Sequence, residues 1–169
     1  MHLDGASSAF QPATASDIPE IQALARSIWH EAYHDTISRE QIEYMLGLMY
    51  ADEVIAGEMA SGIVWKFIVL DGGVCGFLSY GCSGNDAVKL AKIYIHKDAR
   101  GKGIAKAAFQ RVFAYAKEKG RSSIFLTVNK QNQRAIRAYE KNGFRIAEAT
   151  VFSIGGGFVM DDYVMRRSL

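Results

Sequence analysis

The stretch Arg100-Gly101-Lys102-Gly103-Ile104-Ala105 constrains this chain more than any other. A strand-like run, Leu90 to Ile95, leads into it, and a helical pattern from Ile104 to Lys119 leads out. A glycine-rich turn between strand and helix aims backbone N–H groups at one spot, beside the positive end of the helix dipole. Such a spot suits a phosphate or diphosphate. The register is not that of a Walker loop, because Lys102 precedes Gly103. A dinucleotide fingerprint wants glycine or alanine where Lys106 stands, and a repeated βαβ unit from the start of the chain. What fits is Arg/Gln-x-x-Gly-x-Gly/Ala, met by Arg100, Gly103 and Ala105.

Around this turn the pattern is readable. Asp17, with Glu20 three residues on, opens a first helix in which Ile18, Ile21, Ala25, Ile28 and Trp29 recur at helical spacing. Ser38-x-x-Gln41 opens a second, with Ile42, Met45, Leu46 and Met49 on one stripe, and Asp52 to Ala60 reads as a third. Ile63 to Leu70 and Val74 to Gly81 form a hairpin about Asp71-Gly72-Gly73, Cys82 to Asp86 is loop, and Val88 to Ile95 is the next strand. The helix after the turn buries Ala108, Val112 and Tyr115 and stops at Gly120. Ser123 to Val128 is a strand, Asn132 to Asn142 a helix, and Phe144 to Ile154 with Phe158 to Met165 a last hairpin around Gly155-Gly156-Gly157. The order helices, β, β, β, α, β, α, β, β predicts one α/β layered domain over residues 1–169, a mixed sheet with helices on both faces.

Composition bounds the partners. The chain has 169 residues, 49% of them apolar and 22% charged, with a net charge of +2 and no block of like charges. That argues against nucleic acid, and no apolar run is long enough for a membrane helix. Met1 to Phe10 lacks the basic start and apolar core of a signal peptide. Cys75 and Cys82 lack CxxC spacing and read as reduced thiols. A cytoplasmic protein without a metal is expected.

A second segment joins the first. Asn129-x-x-Asn132-x-x-Ala135-x-x-x-Tyr139 is followed by Gly143-Phe144, and Asn132, Ala135 and Tyr139 share one helix face. Taken singly, Asn132 caps a helix and Tyr139 packs in a core. Together with Arg100 to Ala105, at this separation, they resemble the GNAT superfamily of acetyl-CoA-dependent N-acetyltransferases. The resemblance covers Ile63 to Phe144 well and extends to the C-terminal hairpin. It implies a mostly antiparallel sheet with a splayed central strand pair, Val88 to Ile95 parting from Ser123 to Val128 to admit pantetheine. Backbone groups of Ile93, Tyr94 and Ile95 would then pair with pantetheine like another strand. N–H groups of Gly101, Lys102, Gly103, Ile104 and Ala105 would hold the pyrophosphate, with Arg100, Lys102, Lys106 and Arg134 supplying charge, and Asn132 and Tyr139 completing the cofactor site. Tyr139 stands where many members place the acid that protonates the departing thiolate.

The acceptor and the base are less determined. Several members carry a glutamate on the strand entering the turn, and Lys89, Leu90, Ala91, Lys92 and Ile93 supply none. A water chain, Glu31, Asp161 and Asp162 stay open as the base. The end of the first helix lines the acceptor pocket in this family, which makes Trp29, Glu31, Tyr33 and His34 substrate contacts. The segment Phe152 to Tyr163, with Ile93-Tyr94-Ile95 and the second helix, looks like the branch holding bacterial polyamine (spermidine/spermine) acetyltransferases. Asp161 and Asp162 would then face a polyamine, although charges on a late strand also guard sheet edges. Small amines and peptides remain open as acceptors, and so does a homodimer. A non-catalytic acyl-CoA-binding module is the alternative. His30-Glu31-x-x-His34 satisfies HExxH and names a zinc hydrolase as a distant one, but no third ligand follows at the expected spacing.

Overall fold

Seven strands join in one sheet, in the order β1 (Ser8–Pro12), β2 (Val64–Leu70), β3 (Gly73–Ser83), β4 (Ala87–Ile95), β5 (Ser123–Asn129), β7 (Phe158–Ser168), β6 (Arg145–Gly155). Five α-helices accompany them: α1 (Ile18–Tyr33), α2 (Arg39–Met49), α3 (Asp52–Ala60), α4 (Ile104–Glu118) and α5 (Gln133–Lys141). The computed structural model describes residues 8–169. Residues 1–7, most of the opening weighed against a signal peptide, lie outside them. The fold is the expected α/β class with a mostly antiparallel sheet. Among the described residues no helix is long and apolar enough to cross a membrane.

β1, which the sequence pattern does not predict, pairs antiparallel with β2 from Ser8↔Leu70 to Pro12↔Lys66. Its residues are exposed apart from half-buried Phe10, so no two-residue apolar alternation announces it. It belongs to the sheet through backbone hydrogen bonds. Proline at its last position is tolerated there, because an edge strand can spare that donor.

The described chain forms two compact units. The first takes the chain up to Ser79 together with Lys92–Ala108. In it, Ile18, Ile21, Ala25, Ile28 and Trp29 of α1 are all buried, as their spacing requires. Ser38 caps α2 by accepting from the Gln41 N–H at 3.0 Å. Asp17 departs from expectation: its carboxylate accepts from the Thr14 N–H at 2.8 Å, closing a short 3-10 turn ahead of α1. The core is aromatic, with Trp65 stacked on Phe77 and Tyr50 edge-on to both. Within it lies Lys92, 6% exposed, its ammonium 5.1 Å from the Trp65 ring centre and 5.4 Å from that of Tyr50. Glu58 Oε1 stands 4.0 Å from that ammonium.

Gly76 in β3 lies against the backbone of β4. A Cβ there would sit 2.2 Å from the Tyr94 carbonyl oxygen and 3.1 Å from Ile95 Cα. Backbone cannot yield as a side-chain tip can, so Gly76→Ala should destabilise by roughly 2–3 kcal/mol, an overpacking cost. Chemical denaturation checks this, and an unchanged midpoint would mean the strands part there at no cost.

The second unit takes Tyr80–Ala91 and Phe109–Leu169. Phe109, Val112 and Ala116 of α4 are buried in it. Tyr115, expected in that core, is half-buried with its ring edge-on to Tyr80. β5 pairs antiparallel with β7 from Ser123↔Ser168 to Asn129↔Asp162, and β7 with β6. β4 and β5 pair parallel only from Ala87↔Ser123 to Lys89↔Phe125. The registered ladder stops there although β4 runs to Ile95 and β5 to Asn129.

Candidate active site

The glycine turn belongs to the first unit. Gly101 and Gly103 both have φ +78°, a conformation that side-chain-bearing residues rarely adopt. A Cβ on either would meet nothing within 4 Å, so the space above the turn is open. Gly103 starts α4 by accepting from the Ala107 N–H at 3.1 Å. Among the described residues, the N–H groups of Gly101, Lys102, Gly103, Ile104 and Ala105 have no acceptor. Five donors without an acceptor in one short turn are the composition of an anion cradle. Lys102 and Lys106 are exposed beside it.

Arg100 does something the sequence did not suggest. Its Nε donates to the Ile95 carbonyl at 3.1 Å and its Nη2 to Glu31 Oε1 at 2.7 Å. The guanidinium thus ties the turn to the last strand residue and to the end of α1. Tyr33 Oη lies 3.4 Å from Tyr94 Oη, and the Tyr94 ring packs between Trp29 and Phe77. Ile93 and Ile95 flank it half-buried.

Of the proposed acceptor contacts on α1, Glu31 and Tyr33 are half-buried near the turn. Trp29 is 2% exposed, and its indole N–H donates to Tyr50 Oη at 3.2 Å, which makes it core. His34 is exposed, its Nδ1 donating to the Glu31 carbonyl and its Nε2 3.2 Å from Asp35. In the HExxH segment, His30 Nε2 lies 2.5 Å from Glu43, which also binds Arg26. Those two partners, Arg26 foremost, hold the Glu43 carboxyl below its ordinary value. Among the described residues no group of three His, Cys, Asp or Glu is placed to hold a metal ion.

The second unit holds the rest. Asn132 caps α5, its Oδ1 accepting from the Ala135 N–H at 3.3 Å. Tyr139 is half-buried, its ring edge-on to Phe109 at 5.7 Å and Phe144 at 6.1 Å. Asp161 is exposed and paired with Lys130 Nζ at 2.5 Å. Its neighbour Asp162 is 3% exposed, opposite Asn129 of β5 and Thr150 of β6. Burial first, then the Asp161 charge, raises the Asp162 carboxyl to about 6, with Lys130 pulling the other way. Sequence treats these two aspartates alike. The pleat separates them, because successive strand residues point to opposite faces.

Gly76, Glu58 and Lys92 matter structurally and escaped notice as a set. Gly76 had a signal, a glycine inside a strand. Lys92 had one too, a lone cation in the run Leu90-Ala91-Lys92-Ile93.

Comparison with solved structures shows the same fold elsewhere. The PaiA N-acetyltransferase of Thermoplasma acidophilum, in complex with coenzyme A, superposes with a TM-score of 0.82 at 24% identity, covering 96% of this chain and 99% of that one. The model of the acetyltransferase (GNAT) family matches residues 18–144, and the chain belongs to that family. An uncharacterised N-acetyltransferase of Mycobacterium bovis is 36% identical over 99 residues, which is 59% of this chain and 63% of that relative. The alignment therefore spans less than two thirds of that relative's length. A spermidine N(1)-acetyltransferase of T. acidophilum is 25% identical over 150 residues, 86% of this chain and 90% of that protein.

Proposed function

We propose that the chain transfers an acetyl group from acetyl-CoA directly to a primary amine of a small molecule or peptide. The observation that carries this reading is the turn after β4, where five N–H groups without an acceptor among the described residues stand at the start of α4, and a Cβ on Gly101 or Gly103 would meet nothing within 4 Å. Family membership supplies the reaction class, and a neighbour of the same fold holds coenzyme A.

In this reading the N–H groups of Gly101 to Ala105 take the pyrophosphate, with Lys102 and Lys106 adding charge. The backbone of β4 at Ile93 to Ile95 accepts pantetheine as a further strand would be accepted. Tyr139 donates a proton to the departing thiolate, whose thiol pKa near ~8.5 makes that help useful. Bound acetyl-CoA brings an activated thioester, and the chain orients it and manages the protons. The spermidine-acetylating relative supports a polyamine-like acceptor.

Acceptor-dependent release of free CoA, over a panel of polyamines, amino acids, aminoglycosides and peptides, tests the reading. Silence with acetyl-CoA still bound would favour a non-catalytic acyl-CoA-binding module, which the missing strand glutamate also favours. Gly103→Val should weaken acetyl-CoA binding by roughly tenfold or more, since φ +78° strains a β-branched residue and its side chain enters the cradle. Calorimetry reads this, and undiminished affinity would remove the turn from the cofactor site.

A further inference from the structure

The glycine turn is weakly held along its own length. Gly101, Lys102 and Gly103 are exposed, and two of the three carry no side chain to pack. Glycine loses more conformational freedom on being fixed than any other residue, so such a segment keeps one shape only if its ends are anchored. Downstream the anchor is Ile104, 3% exposed at the start of α4. Upstream it is Arg100, and there the anchor is polar. Arg100 Nε donates to the Ile95 carbonyl at 3.1 Å and Nη2 to Glu31 Oε1 at 2.7 Å, while the backbone N–H reaches the Lys97 carbonyl at 3.3 Å. A planar guanidinium held at two nitrogens, by acceptors on two different elements, has one orientation left. All of these groups lie in the first compact unit.

The pairing runs against simple electrostatics. An acidic side chain beside a diphosphate site repels the ligand, and it offsets the charge of an arginine that could otherwise face the phosphates. Glu31 is placed to do both. What it contributes is shape: it draws the guanidinium back toward β4 and α1, and so fixes the residue from which the turn departs. A site ordered in advance binds more tightly, because the ligand does not have to supply the ordering. We propose that Glu31 is a positioning residue of the acetyl-CoA site, which through Arg100 holds Gly101 to Ala105 in the form that takes the pyrophosphate. This rests on the N-acetyltransferase reading, and it gives Glu31 a role other than that of base or acceptor contact.

Calorimetric titration with acetyl-CoA, over three variants, tests this. Glu31→Ala removes both the charge and the bond, and alanine is a good helix former in the last turn of α1. Affinity should fall roughly tenfold. Glu31→Gln removes the charge but keeps an oxygen that can accept from Nη2, and should stay within about threefold of the wild type. Arg100→Lys keeps the charge but replaces the fork with one ammonium, which cannot hold Ile95 and Glu31 in the same geometry. It should also fall roughly tenfold, and combining it with Glu31→Ala should add little. A purely electrostatic role predicts another order, in which both Glu31 variants bind acetyl-CoA more tightly and to the same extent. Undiminished affinity in Glu31→Ala overturns the proposal, and so does equal behaviour of the two Glu31 variants.

Kinetics with the best acceptor of the amine panel separate positioning from catalysis. In Glu31→Ala the acetyl-CoA KM should rise, with kcat at saturating acetyl-CoA lowered less than about tenfold. A kcat lowered roughly 10²- to 10⁴-fold with that KM unmoved is the loss of a base, and it overturns the positioning role. Should the wild type bind no acetyl-CoA, the transferase reading fails separately. Inorganic diphosphate then serves as the probe, read by the amide signals of Gly101 to Ala105. Shifts in the wild type that weaken in Glu31→Ala support the proposal, and equal shifts or none overturn it.

Discussion

Tyr139→Phe is expected to lower turnover by roughly 10²- to 10⁴-fold, the range for a lost general acid. Acetyl-CoA affinity should hardly move. The substitution isolates one atom, because the ring is fixed edge-on to Phe109 and Phe144 and phenylalanine repeats those contacts. Loss of the hydroxyl leaves the thiolate to depart unprotonated. The cost should then fall on kcat and on kcat/KM together, the mark of an interaction made in the transition state. Steady-state kinetics with the acceptor held saturating reads both. Turnover within a few-fold of wild type would take Tyr139 out of the mechanism and leave it as a packing residue of α5.

Glu58→Gln should cost about 3 kcal/mol of stability, the lower end for breaking a buried ion pair. The lower end applies because the Glu58 side chain is 26% exposed, while that of Lys92 is only 6% exposed. The neutral amide leaves the ammonium among Tyr50 and Trp65 without the facing carboxylate. For a chain of this size that corresponds to a melting point roughly 6–12 °C lower. Adding Lys92→Met removes the charge that needed compensation, and methionine fills a similar volume. The double variant should recover most of the loss. Urea unfolding of both single variants and the double one gives the coupling. A double variant no more stable than Glu58→Gln would show that shape, and not charge, sets the cost.

The parts of this molecule legible in its sequence are those governed by local rules. Helical spacing found the buried stripe of α1, the Ser38 cap gave the start of α2, and the glycine turn stood out between a strand and a helix. A parting of β4 from β5 is what the family resemblance implies, and the paired ladder between them stops at Lys89↔Phe125. What escaped depends on contacts distant in sequence. β1 is held by backbone pairing that leaves no pattern in its side chains. Trp29, proposed to touch the acceptor, faces Tyr50 because α1 packs on a ring cluster drawn from three other elements. Asp161 and Asp162 differ only once a sheet has two faces, one covered and one bearing Lys130. Arg100 found Glu31 sixty-nine residues away, a pairing no spacing rule contains.

The close approach at Gly76 also settles how β3 may lie along β4. A slip of one residue in either direction would bring Cys75 or Phe77 to the place where a Cβ meets a carbonyl oxygen at 2.2 Å. Both slips are thereby shut out by hard-core repulsion, before any loss of side-chain burial is counted. The missing side chain works as a notch that admits one alignment. It fixes which of Tyr94 and Ile95 looks toward α1, and so where the chain stands when it enters the glycine turn.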